Sequence, residues 1–185
     1  MSEGFRRIRG SIELRLTHGE AGVLRELLEN LLQLLDPTDA AGGGPAPADP
    51  LEAIVGFSAV PAERPADPVL ARLLPDAYAD DPEASADFRR YTEMDLRAAK
   101  TAAARTALAG LQSADRRRLT LSAEGGEAWL TALNDIRLAL GTRLGVTEES
   151  DAEPVDPRNP RASLLQVYGW LGWLQESLVI ALAGW

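Results

Sequence analysis

Twice along this chain a short stretch of alternating apolar residues runs through a hydroxyl side chain into a leucine-rich helical stripe, and this repeated unit constrains the fold more than any other feature. In the first copy Ile12, Leu14 and Leu16 alternate with Glu13 and Arg15, the period of two expected of a half-buried strand. Thr17 and Glu20 then stand at the capping-box spacing that starts a helix. In that helix Val23, Leu24, Leu27, Leu28, Leu31, Leu32, Leu34 and Leu35 gather on one side. The stripe is wider than a two-stranded zipper seam, which places the helix in a core rather than in a coiled coil. In the second copy Leu119 and Leu121 precede Ser122, which caps a helix carrying Trp129, Leu133, Ile136 and Leu140 and stopping at Gly141. The two strands can meet in one small sheet, with Phe5 to Ile8 added across a turn at Gly10 and the helices packed on one face.

Proline and glycine set the remaining boundaries. Asp36-Pro37 ends the first helix, and residues 37–50, with Gly42-Gly43-Gly44-Pro45, read as a flexible loop, as do 147–160. Short helical pieces are expected near Pro50 to Gly56 and from Asp67 to Leu74. Asp67-Pro68 and Asp81-Pro82 each offer an N-cap followed by proline at the first helical position. The second of these opens a long helix to about Gly110, and a last helix covers Ala162 to Ala183. The expected fold is therefore mainly α: about five helices packed with a small two- or three-stranded antiparallel sheet (strands near 5–8, 12–16 and 118–121), in a single domain over 1–185.

The net charge of −9 is unevenly placed. Between Asp36 and Asp81 nine acids face two bases, and between Thr147 and Arg158 five acids face one, so the acidity sits in the two connectors. Everything else sums to about +2. With no cysteine there is no disulfide, thiolate nucleophile, thiol switch or Cys-based zinc site, and a single histidine, His18, thins the remaining catalytic and metal options. His18 itself lies in a helix start. No phosphate-binding loop, dinucleotide fingerprint or EF-hand spacing occurs, so no catalytic residue, cofactor or metal is expected and the chain reads as a non-enzyme. No secretory signal is visible, and Gln166, Gln175 and Glu176 interrupt the apolar 162–185 stretch, arguing against a membrane span and for a cytoplasmic protein.

Three constellations stand out. On the 82–110 helix Phe88, Thr92, Leu96, Ala99 and Ala103 form an apolar face with Asp95 inside it, and a buried carboxylate must be paired or protonated. Arg137 and Arg143 flank the apolar face of the Trp129 helix, which predicts an ion pair between Asp95 and one of them. Arg89, Arg90, Arg97, Lys100 and Arg105, with Arg116, Arg117 and Arg118, give residues 86–119 a net +4, the one basic concentration in the chain. Such a region is either a solvated helix face or a contact for phosphates or an acidic protein. In the last helix Tyr168, Leu171, Leu178 and Leu182 share a face while Trp170 and Trp173 project from the other side, which makes the helix either central in its domain or covered by a partner or a second copy.

Several strings in these segments resemble a known family. Asp67-Pro-Val-Leu-Ala-Arg-Leu-Leu-Pro-Asp-Ala-Tyr78, Phe88-Arg-Arg-Tyr-Thr-Glu-Met-Asp-Leu-Arg97 with Lys100, Trp129-Leu-Thr-Ala-Leu-Asn-Asp-Ile-Arg-Leu-Ala-Leu-Gly-Thr-Arg-Leu144 and Tyr168-Gly-Trp-Leu-Gly-Trp-Leu-Gln-Glu-Ser177 are similar to an actinobacterial domain-of-unknown-function family. That family is associated with the oxidative stress regulator AosR and is encoded near the ClpS adaptor. The resemblance implies transcription regulation under oxidative stress through a protein partner such as a sigma factor or RNA polymerase. A disulfide-switched mechanism cannot operate in this chain, because it has no cysteine. Trp170, Trp173, Arg89, Arg90, Arg116, Arg117 and Arg118 are the candidate contact residues. Direct DNA binding and an uncharacterised enzymatic activity are the alternatives.

Overall fold

The computed structural model describes residues 3–36, 64–114, 118–147 and 158–184. The expected loop at 37–50, the helical piece near Pro50 to Gly56, Arg116, Arg117 and most of 147–160 lie outside these. Strands β1 (Arg6–Ile8) and β2 (Ser11–Arg15) form a hairpin, and β3 (Arg118–Leu121) pairs antiparallel with β2 to give the order β1-β2-β3. Arg9 and Gly10 both take positive φ, 50° and 87°, the two-residue turn that matches strand twist. In the register Ile12 faces Leu121 and Leu14 faces Leu119, so all four point to one side, where they are buried.

Five described helices cover that side: α1 (His18–Leu35), α2 (Pro68–Leu73), α3 (Pro82–Ser113), α4 (Ala123–Leu144) and α5 (Ala162–Ala183). Their starts follow the sequence. Thr17 and Glu20 close a reciprocal capping box, and Asp67, Asp81 and Ser122 each accept hydrogen bonds from first-turn amides. Two ends run further than the glycines suggest. α3 continues past Gly110, and α4 continues past Gly141 to an αL cap at Gly145 (φ 69°). Gly141 has a packing role instead, since a Cβ there would lie 3.0 Å from the Tyr168 ring.

α4 is the hub, packing against the other four helices and against β2 and β3. Trp129, Leu133 and Ile136 from α4 are buried among Leu24, Leu28 and Leu35 of α1 and Leu171, Leu174 and Leu178 of α5. Phe5 meets Trp129 edge-on at 5.8 Å. The apolar last helix is thus not the centre of the core. α5 lies over α4 and β1, and Leu164, Trp173, Val179 and Ile180 remain exposed on its outer side.

Candidate functional site: the surface and underside of helix α3

The first half of α3 is turned about one residue, roughly 100°, from the orientation its apolar residues suggest. Arg89 and Arg97 are buried, together with Ser85, whereas Phe88 is 47% exposed and Leu96 39%. Charge pairing explains the inversion. Arg89 donates to Asp76 Oδ1 (2.6 Å), to Glu93 Oε2 (3.0 Å) and to the Leu74 carbonyl (3.1 Å). Arg97 donates to Glu93 Oε1 (2.8 Å) and to the Leu35 carbonyl (3.3 Å). Each guanidinium therefore caps a helix C-terminus, that of α2 for Arg89 and that of α1 for Arg97, where orphan carbonyls and the dipole favour a cation. Glu93 joins the two. Burial works against the charge on Arg89, but the hydrogen bonds and charges of Asp76 and Glu93 outweigh it and hold its pKa above the ordinary value.

One turn further on, Lys100 Nζ donates to Asp135 Oδ1 of α4 at 2.7 Å. Asp135 is fully buried, and its other oxygen, Oδ2, has no hydrogen-bond partner. Burial pushes its carboxyl above the ordinary value, against the pull of Lys100.

These positions correct several expectations. Asp95 is exposed and forms no ion pair with Arg137 or Arg143, because the buried side of α3 is the Arg89, Glu93, Arg97 side. The buried interhelical acid is Asp135, one helix away, and its partner is Lys100. Arg143 is exposed, while the Arg137 guanidinium lies 4.9 Å over the Tyr168 ring. Arg89 is no surface contact but an internal cap. Arg90, mostly covered, sits 3.6 Å from Asp87 and 4.8 Å over the Tyr91 ring, and Arg118 stands 3.5 Å from Glu13 across the sheet. Trp170 packs against the core and Trp173 stays 41% exposed. Of the basic residues counted along 86–119, Arg89, Arg97 and Lys100 are committed inward, Arg90 and Arg118 pair with acids nearer the surface, and Arg105 is exposed.

What the first half of α3 and the segment before it leave outside is mainly apolar and acidic. Tyr78, Phe88, Tyr91, Met94 and Leu96 are all between 39% and 65% exposed. Phe88 meets Tyr78 edge-on at 6.1 Å. Leu74, Pro75, Phe88, Thr92 and Leu96 line a groove of about 270 Å3 whose floor is Arg89 and Glu93. Exposed Asp80, Asp81, Glu83, Asp87 and Asp95 belong to the same stretch of chain. A signal for the inversion was present: Arg89, Glu93, Arg97, Lys100, Ala104, Ala107 and Leu111 recur at steps of three and four, the spacing of one buried stripe. Among the described residues no cluster of three or more His, Cys, Asp or Glu is placed to hold a metal, and no helix is long and apolar enough to cross a membrane.

Comparison with known proteins agrees over nearly the whole chain. The oxidative stress regulator AosR of Mycobacterium tuberculosis is 37% identical over 178 residues, covering 89% of this chain and 79% of the relative, and that of Mycobacterium bovis matches equally. A putative oxidative stress regulator AosR of Mycobacterium leprae is 37% identical over 176 residues, covering 88% and 78%. No solved structure matches. The DUF2017 pattern, a domain of unknown function, extends over residues 2–182, and the chain belongs to that family.

Proposed function

We propose that this protein is a non-enzymatic regulator of the oxidative stress response that acts through contact with another protein, a sigma factor or RNA polymerase being the partner the reading favours. Its likeness to mycobacterial regulators supports the regulatory role. The observation that carries contact as the mode of action is the apolar exposure around the first half of α3: Phe88 meets Tyr78 edge-on and shares a groove with Leu96, and Tyr91 and Met94 are exposed on the same helix. Exposed aromatic and apolar side chains that touch or line one groove mark interaction surfaces in water-facing proteins. The acids around them favour a basic, amphipathic partner segment. Input does not come through a thiol, since the sequence contains none.

Direct DNA binding is the weaker reading, because Arg89, Arg97 and Lys100 are engaged internally. The test compares transcripts after peroxide exposure in cells lacking the gene, cells restored with the wild type and cells restored with Phe88→Asp. The expected outcome is an altered stress response that the wild type restores and Phe88→Asp, folded to the same melting temperature, does not. Equal restoration by both would overturn the contact reading, and an unaltered response in the deletion would overturn the regulatory one. Salt-sensitive binding of duplex DNA by the pure protein would favour the DNA reading.

A further inference from the structure

The outer face of α5 is built unlike that of a solvated helix. Its 22 residues include one charged side chain, Glu176, whereas α1, also half exposed, presents Arg25, Glu26 and Glu29 to water. Trp173, Val179 and Ile180 are between 41% and 48% exposed, although Leu171, Leu174 and Leu178 on the inner side already fill the core. Gly169 is the second anomaly. Glycine weakens a helix interior, and at Gly141 and Gly172 close packing against Tyr168 and Arg137 accounts for it. A Cβ at Gly169 would meet no atom within 4 Å, so nothing inside the molecule calls for glycine there. What Gly169 provides is a gap in the outer surface of α5, one turn from an exposed tryptophan.

Ala162, Gln166, Gly169, Trp173, Glu176 and Ile180 follow one another at steps of four and three, the spacing of a seam between two helices. This stripe is complementary to its own reverse. When a second copy of α5 is laid antiparallel so that Trp173 stands opposite the partner's Gly169, the same register sets Ile180 opposite the partner's Ala162 and Glu176 opposite the partner's Gln166. Each large apolar side chain then meets a small residue, and each carboxylate meets an amide that can donate to it. Parallel pairing would instead set Glu176 against the partner's Glu176, and like charges facing each other across an interface destabilise it. Antiparallel pairing also places the positive N-terminal end of each helix beside the negative C-terminal end of the other. We infer that the outer face of α5 is a homodimer interface, in which two copies of this chain pair their last helices antiparallel about a two-fold axis level with Leu171. The seam is about 33 Å long and uses one helix, fewer than the roughly 20–30 residues a side of a standard interface, so the dimer dissociates in the micromolar range.

The pairing involves neither α3 nor the regulatory role, and its test is separate from both. The mass of the full-length protein is followed by analytical ultracentrifugation over a concentration series. A dimer that falls to monomer on dilution is expected, with tryptophan emission moving to the red as Trp173 is uncovered. Gly169→Gln fills the gap with a better helix former, so the dilute variant should keep or raise its melting temperature while dimerisation weakens by about tenfold or more, as for overpacking one contact. The chain has no cysteine, which makes single engineered ones unambiguous. A mixture of Gln166→Cys and Glu176→Cys proteins should crosslink to each other under mild oxidation, and neither should crosslink well alone. Dimerisation undiminished in Gly169→Gln would overturn the seam, and efficient crosslinking of either single variant to itself would overturn the antiparallel register. A monomer at every concentration would overturn the pairing and leave the face to a different protein, or to a lipid surface if that monomer sediments with phosphatidylcholine vesicles.

Discussion

Asp95 and Asp135 are both aspartates in the middle of long helices, and their environments could hardly differ more. Asp95 points into water, while Asp135 is enclosed with one oxygen on Lys100 and the other on nothing. The neutral carboxyl is the form that burial favours, so Asp135 contributes most to stability below its ordinary value of 3.8, and that contribution fades as pH rises through the raised folded value. At neutral pH Lys100 is what makes the charged form tolerable. Lys100→Met should therefore cost about 3 kcal/mol at neutral pH, as expected when one partner of a buried pair is removed. The loss should shrink on acidification, when the stranded carboxyl takes up a proton. Asp95→Asn should change stability by less than about 0.5 kcal/mol, as surface substitutions do. Thermal melts of both variants against pH check all three statements, and a large loss for Asp95→Asn would contradict the exposed position.

At the scale of elements, helix starts were legible because capping depends on a few local atoms. Thr17, Asp67, Asp81 and Ser122 all cap as their spacing implies. The roll of α3 was not legible from its apolar residues, because it is decided by groups distant in sequence: Asp76, the carbonyls of Leu35 and Leu74, and Asp135. Glycines were ambiguous for a related reason. Gly141 looks like a stop and is a contact, and Gly126, inside the same helix, lets α4 approach β2 and α5. A Cβ at Gly126 would stand 2.9 Å from Ile12 Cδ1 and 3.0 Å from Leu182 Cδ2. Alanine is the better helix former by about 1 kcal/mol, but overpacking costs about 1–3. Gly126→Ala should accordingly lower stability by about 1 kcal/mol, read from denaturant midpoints at unchanged slope. A gain in stability would show that the two side-chain tips yield without strain.

Across the whole molecule, the sheet and the last helix lock onto each other. Phe5 N donates to Ser177 Oγ at 3.0 Å, Ser177 Oγ donates onward to the Leu174 carbonyl at 2.7 Å, and an Arg7 guanidinium nitrogen donates to the Leu182 carbonyl at 3.3 Å. Ser177→Ala should speed hydrogen exchange at the Phe5 amide by about tenfold, corresponding to roughly one hydrogen bond, while the α1 core amides stay protected. Unchanged exchange would mean that Phe5 is held by packing on Trp129 alone. The fold class and the meeting of β2 with β3 followed from alternation and capping. The location of the exposed apolar surface did not, because a count of charge along the chain cannot tell an arginine that faces water from one that caps a helix.

Trp129 gives this molecule a label-free optical handle. Its indole is 1% exposed and its Nε1 has no hydrogen-bond partner, so it should emit toward the blue, whereas Trp173, 41% exposed on α5, should emit toward the red. Acrylamide will quench the exposed emitter first. A protein bound over α5 would shield that component, and one bound over α3 would leave the spectrum as it was, so the seat of a partner can be read from the colour of the light.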